Sequence, residues 1–311
     1  MHQDRPSNTA RLVANWLHFQ LFETKTYHLG NDSWREWSAR VLRASGLRGR
    51  SVEFFASADL LHGLYQAVPA FYQSFSIHLL FRKLWVEACT RHFLRQTLEA
   101  PMVGEKPRVI VVGAGLDTLA LRLAPEFPQS QFIEADHPAT QSLKHKALAQ
   151  FAHQKQSERT PDNLHLVAAD LTQLPLSEAL SAQGLGVESA APTFVILEGL
   201  FMYLSRDIVQ GVMHDLTQLG SAPQVVFTFL APWQYPILRQ TVTNLSVAWL
   251  KLWREPFEWI IQPADLRALL AEWGWSVDAL RLTADVAQED FQFPFSESIA
   301  EQLCLVRYVG H

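Results

Sequence analysis

Five short apolar runs, rich in β-branched residues, recur along the centre of this chain: Arg108–Val112 (RVIVV), Gln131–Asp136 (QFIEAD), Leu164–Ala168 (LHLVA), Thr193–Leu197 (TFVIL) and Gln224–Phe229 (QVVFTF). Runs of that length and composition read as strands, and helix-like stretches separate them. Strand and helix in alternation predict a mostly parallel α/β sheet with helices on both faces, because each crossover lays its helix over the sheet. Two later runs, Trp275–Leu280 and Glu301–Tyr308, bring the count to seven strands. Between them and the fifth strand, Pro263 followed by ADLRALLAEWG reads as a helix opened by proline and stopped by glycine. A sheet of this kind takes its ligand at the carboxyl ends of the strands.

Residues 9–99 are different, with apolar residues at mixed helical spacing and few strand signals. They predict a helical extension or cap over 1–100, ahead of a sheet domain over 101–311 that carries an insert at about 231–262. All ten tryptophans lie in the first region or between Trp233 and Trp275. Bulky aromatics there either line an apolar pocket over the ligand edge or fill the core of helical layers. A chain of 311 residues at 48% apolar content suffices for one large domain or two modest ones.

Composition removes several classes. A net charge of -5 and a sequence pI near 6.2, with scattered basic residues, give no attraction to phosphate backbones, so no nucleic-acid partner is expected. Cys89 and Cys304 stand far apart without a CxxC pair, and no histidine falls in HExxH, so neither a disulfide framework nor a metal site is expected. No apolar run approaches the roughly 18 to 20 residues that cross a bilayer, and MHQDRPSNTARL lacks the order of a secretory signal; the expectation is a cytoplasmic protein without a membrane partner.

The first strand breaks at Gly113-Ala114-Gly115 and a helix follows, a loop that admits a ligand backbone close to the helix amides. A dinucleotide loop wants a third glycine where Thr118 stands, and Asp117 occupies the first turn, where it repels phosphate and tolerates a cation. Asp117 reads equally as a helix cap. Asp136 follows the glycines by about 20 residues, the separation of a ribose-binding acid, and shares a strand face with Glu134. Asp170 ends the third strand and Glu198 the fourth. A ligand with a ribose, an amine and a positive centre satisfies these acids.

The segments VVGAGLDTLALRLA, FIEADHPATQSLK, AADL and ILEGLFMYLS, in this order, resemble the leucine carboxyl methyltransferase family, including its bacterial small-molecule O-methyltransferases. The resemblance runs from about residue 79 to about 220. It implies the class I methyltransferase (Rossmann-like) fold, seven strands with the last antiparallel, and S-adenosylmethionine as methyl donor, with S-adenosylhomocysteine as product. By the resemblance Gly113, Ala114, Gly115 and Asp117 form the cofactor loop, Asp136 binds the ribose, Asp170 and Leu171 lie along the adenine, and Glu198 stands near the methionine portion. Arg82 corresponds to an arginine that grips the donor carboxylate, and guanidinium suits that bidentate contact. A second basic residue of the family has no clear counterpart, Lys25 being a guess.

The reaction so implied is in-line O-methylation of a carboxylate or hydroxyl on a small-molecule acceptor. A carboxylate needs no base at neutral pH and a hydroxyl benefits from one. Tyr203 and His137 are the candidates near the strand edge, each with a structural alternative as an apolar wall or a strand-end residue. An NAD(P)-dependent oxidoreductase and a non-catalytic protein that binds the donor are the other two readings. The oligomeric state is not encoded in any pattern here.

Overall fold

The computed structural model describes residues 8–44, 70–99, 105–152, 160–186, 190–232, 257–297 and 299–310. Seven strands form one sheet: β1 Arg108–Val112, β2 Gln131–Asp136, β3 Leu164–Ala168, β4 Pro192–Leu197, β5 Ser221–Leu230, β6 Trp275–Arg281 and β7 Glu301–Tyr308. Their order is β3-β2-β1-β4-β5-β7-β6, with β7 antiparallel to both neighbours and the other pairs parallel. The chain leaves β1 toward β2 and β3, then returns to β4 on the other side. That reversal opens a crevice at the carboxyl ends of β1 and β4, the position at which such sheets take ligands.

Strand alternation sends each side chain to one of two cores. Ile110, Val112, Val195, Leu197, Val225 and Phe227 face the helices α6 Leu176–Ser181, α7 Arg206–Leu216 and α8 Pro263–Glu272. Val109, Val111, Phe194, Ile196 and Val226 face α2 Asp32–Ala44, α3 Ala70–Glu99, α4 Leu119–Glu126 and α5 Pro138–Ala152. In α3, Phe81, Trp85, Phe93 and Leu94 pack directly on this second face, so the amino-terminal helices cover the sheet itself. Full burial of such side chains contributes about 1.5–3 kcal/mol each. Pro263 does open α8, as expected.

The boundary expected near residue 101 and most of the tryptophan-rich insert, with Trp233, Trp249 and Trp253, lie outside the described residues. Of the other tryptophans, Trp34, Trp85, Trp259 and Trp275 are buried core residues. Cys304 is buried, whereas Cys89 is only half-buried. Among the described residues no helix is long and apolar enough to cross a membrane.

The helix α1 Asn8–Phe22 packs on α2 and α3 through Leu17, Leu21, Trp34 and Leu80. His18 lies in that seam, with Nδ1 3.0 Å from Ser38 Oγ and, among the described residues, no hydrogen-bond partner for Nε2. Burial, with Arg43 adding to it, pushes the imidazole down from 6.5 to about 4. Between those values the unfolded chain binds the proton and the folded chain does not, so stability falls as pH drops through the window. The loss is about 2 kcal/mol at pH 5. Denaturant midpoints at pH 7 and pH 5 measure it, and His18→Phe should flatten the slope; an equal slope in that variant would refute the assignment.

Candidate functional site

The turn after β1 places Gly113 at φ +68° and Gly115 at φ +54°, the left-handed region that favours glycine. A Cβ on Gly113 would stand 3.3 Å from Leu200, after β4, and one on Gly115 would stand 3.3 Å from Ala10 of α1. The loop is thus enclosed from the neighbouring strand and from the first helix. Ala114 between them is buried.

Asp117 joins the start of a helix to a cation of the chain itself. Its Oδ1 accepts the amides of Thr118 and Leu119 at 2.5 and 3.0 Å, capping α4, while Oδ2 accepts Lys83 Nζ at 2.7 Å. Burial alone would raise the carboxyl, but Lys83, with Lys144 and Arg122 beyond it, holds it well below the ordinary carboxylate range.

Asp136 ends β2 with both oxygens turned to the glycine loop and the next helix. Oδ2 accepts the Gly115 amide and Oδ1 the His137 amide, the latter at 2.6 Å. Burial raises this carboxyl above its ordinary value, and the two amides offset only part of the effect. His137 Nδ1 accepts the Ala139 amide at 3.3 Å, which leaves Nε2, 3.7 Å from Asp170 Oδ2, as the protonated nitrogen. Asp170 Oδ1 in turn accepts the amide and hydroxyl of Thr172 at 3.0 and 2.7 Å, and Leu171 packs against the core behind it. The acids after β2 and β3 therefore share one end of the crevice.

At the other end a buried chain of ion pairs joins α3 to the sheet. Glu198 accepts Arg82 Nε at 2.6 Å and Lys83 Nζ at 2.8 Å. Arg82 Nη1 also reaches both oxygens of Glu301 at 2.8 and 2.9 Å. His78 completes the chain, 2.8 Å from Glu301 Oε2 and 2.7 Å from Thr283 Oγ1. Burial pulls the Lys83 ammonium down, but Asp117 and Glu198 outweigh it and raise it above its usual range. Burial likewise pushes Glu301 up, yet Arg82 and His78 hold it well below the carboxylate range. Arg82, Lys83 and His78 thus share Glu198, Glu301 and Asp117 in one buried network.

Arg82 is thus buried against two acids of the chain itself, not spread on the surface of an amphipathic helix. Gly199, at φ +65°, brings the backbone close to it: a Cβ there would stand 3.5 Å from the guanidinium. Tyr203 sits in the turn Phe201–Tyr203 with its ring 5.5 Å from that of Phe257. Lys25 is exposed in the turn after α1 and takes no part in the ion chain.

With this arrangement in place, comparison with known proteins is informative. Residues 72–217 match the leucine carboxyl methyltransferase family. The matched segment contains Arg82, Lys83, the glycine loop, Asp136, Asp170 and Glu198, whereas Glu301 and α1 lie outside it. A protein of Parafrankia sp. (strain EAN1pec), provisionally named an S-adenosyl-L-methionine-dependent methyltransferase, is 35% identical over 134 residues, 43% of this chain and 40% of that one. One of the same provisional description from Bacillus subtilis (strain 168) is 32% identical over 140 residues, 44% and 43% of the two chains. The matched part therefore spans about two fifths of the length of these relatives. Among solved structures, a DUF574 family protein from Streptomyces avermitilis superposes with a TM-score of 0.52 at 14% identity, over 87% of this chain and 97% of that one. A protein from Thermobifida fusca, provisionally named a methyltransferase, gives 0.50 at 13% identity over 88% and 94%. The fold is the class I Rossmann-like methyltransferase fold.

Sequence reasoning did not reach Lys83, His78, Lys144 or Glu301. His78 and Arg82 are four apart on α3, a spacing that puts them on one helix face and could have paired them. Glu301 carried no local signal, since it lies 219 residues from the guanidinium it binds.

Proposed function

We propose that this chain is an S-adenosylmethionine-dependent O-methyltransferase that methylates a carboxylate or hydroxyl of a small-molecule acceptor. The observation that carries the reading is the set of carboxylates at the ends of β2, β3 and β4, on the edge that holds the glycine loop. Asp136, Asp170 and Glu198 at these strand ends suit a ligand with a positive centre that also offers hydroxyls and an amine. A nicotinamide dinucleotide is anionic and would meet Asp117, whose carboxylate already takes the Thr118 and Leu119 amides that a pyrophosphate would need. The provisional names of the matched relatives support the same donor.

When bound, the donor supplies a methyl group on a positively charged sulfur. The chain's own part is to hold and align. Asp136 accepts the ribose hydroxyls, Asp170 and Leu171 border the adenine, and Arg82 and Glu198 stand at the amino-acid end. Alignment and exclusion of water account for most of the acceleration such a transfer needs. A carboxylate acceptor is favoured, because it arrives ionised. For a hydroxyl acceptor, Tyr203, whose ring packs on Phe257, and His137, whose Nδ1 takes the Ala139 amide, are the candidates for a general base.

Titration calorimetry with S-adenosylmethionine, S-adenosylhomocysteine and NAD tests the reading. Binding of both sulfur ligands without NAD is the expected result; NAD binding with no response to either sulfur ligand overturns it. Turnover with a panel of small carboxylates and phenols then separates the acceptors.

A further inference from the structure

Lys144 is a lysine with no exposed side-chain surface, and its Nζ lies 2.5 Å from Glu134 Oε2, equally enclosed. Neither belongs to the ion chain between α3 and the sheet. Lysine and glutamate are seldom buried this fully, since removing both charges from water costs several kcal/mol per ion before the pair recovers any of it. Burial raises the Glu134 carboxyl, with Lys144 opposing the shift. A pair so placed adds little net stability compared with apolar residues of the same size.

Its connections are more informative than its energy. Lys144 Nζ donates a hydrogen bond to the backbone carbonyl of Asp117, at the end of the glycine loop. An ammonium has three N–H groups, so Lys144 can hold the Asp117 carbonyl and Glu134 Oε2 at once. Glu134 lies two residues before Asp136 on the same strand, and Gln141, one turn before Lys144, donates to the Glu134 carbonyl at 3.0 Å. One side chain therefore ties β2, α5 and the glycine loop together. Two further bonds join β2 to the start of the loop: the Gly113 amide donates to the Ala135 carbonyl at 2.8 Å, and the Gly115 amide to Asp136 Oδ2, an oxygen that the proposed ribose contact also uses; Lys144 alone of these holds the far end, at Asp117.

We infer that Lys144 is a positioning residue for the donor site, holding the glycine loop at its distance from Asp136 through the Asp117 carbonyl. This rests on the donor assignment above. Lys144 does not reach the crevice, so its effect on the donor passes through the loop backbone.

The test compares wild type, Lys144→Met and the double variant Glu134→Gln/Lys144→Met, in which no buried charge is left unpaired. Amide hydrogen exchange at residues 113–119 is measured without ligand, and S-adenosylmethionine affinity by calorimetry. The double variant is expected to fold, to exchange these amides at least tenfold faster than wild type, and to bind the donor at least tenfold more weakly. Wild-type exchange and affinity in the double variant would assign the pair to charge compensation alone and overturn the inference, as would a double variant that does not fold. Should wild type itself bind no S-adenosylmethionine, the donor assignment fails, and the exchange rates still decide whether Lys144 orders the loop.

Discussion

Asp136→Ala is expected to weaken S-adenosylmethionine binding by two to three orders of magnitude. A hydrogen bond to a charged acceptor contributes about 1.5–3 kcal/mol, and a ribose presents two hydroxyls to this carboxylate. The residue is not a bystander in the fold, however. With only 9% of its surface exposed and the Gly115 and His137 amides on its oxygens, it also orders the loop it faces. Its removal should therefore lower stability as well, by about 1–3 kcal/mol for buried amides left without a partner. Calorimetry on the folded variant, beside a denaturant titration, keeps the two effects apart. Unchanged affinity in folded Asp136→Ala would show that the ribose lies elsewhere. Acid should act in the same direction: burial raises this carboxyl, so protonation removes an acceptor at a pH where an exposed aspartate would still be ionised, and affinity should fall earlier than the donor's own titration explains.

Arg82→Met should cost about 3–5 kcal/mol of stability, the usual penalty for removing one partner of a buried ion pair. The guanidinium serves Glu198 and Glu301 together, both nearly enclosed, and methionine leaves each carboxylate short of a donor. The pH dependence gives a second signature. In wild type the Glu301 carboxyl is held below its unfolded value, so the contribution is present above that value and disappears only as pH falls through the folded one. Without Arg82 the same burial would push Glu301 up, letting it take a proton and shed its desolvation cost. The stability gap between variant and wild type should then narrow as pH is lowered from 7 toward 4.5. A gap that stays constant across that range would mean that Glu301 does not depend on Arg82.

These two residues show why one part of the site could be read from sequence and another could not. Asp136 follows a β-branched run and stands at a set distance from the glycines; local pattern alone locates it at the carboxyl edge of a strand. Asp117 falls at the start of a helix by the same local pattern, and its bonds to the Thr118 and Leu119 amides follow from that position. Its second partner, Lys83, comes from a helix that precedes the sheet, and nothing near Asp117 in the chain announces it. The buried Arg82 could be singled out only by family resemblance, and its partner Glu301 not at all. His137, a candidate base, turned out to be engaged with Ala139 and to face Asp170, a matter of ring orientation that composition cannot specify.

The sequence by itself determined the seven strands, their mostly parallel arrangement, and the row of acids on the edge that holds the glycine loop; the reversed last strand was implied only by the family resemblance. Those properties arise from periodicity and spacing within single elements, and such local physics is written in neighbouring residues. Tertiary structure alone decided which charges meet: Arg82 with Glu198 and Glu301, Lys83 with Asp117, and Lys144 with Glu134. Each of those contacts joins separate elements, and buried charges find partners by proximity in space, whatever their separation along the chain.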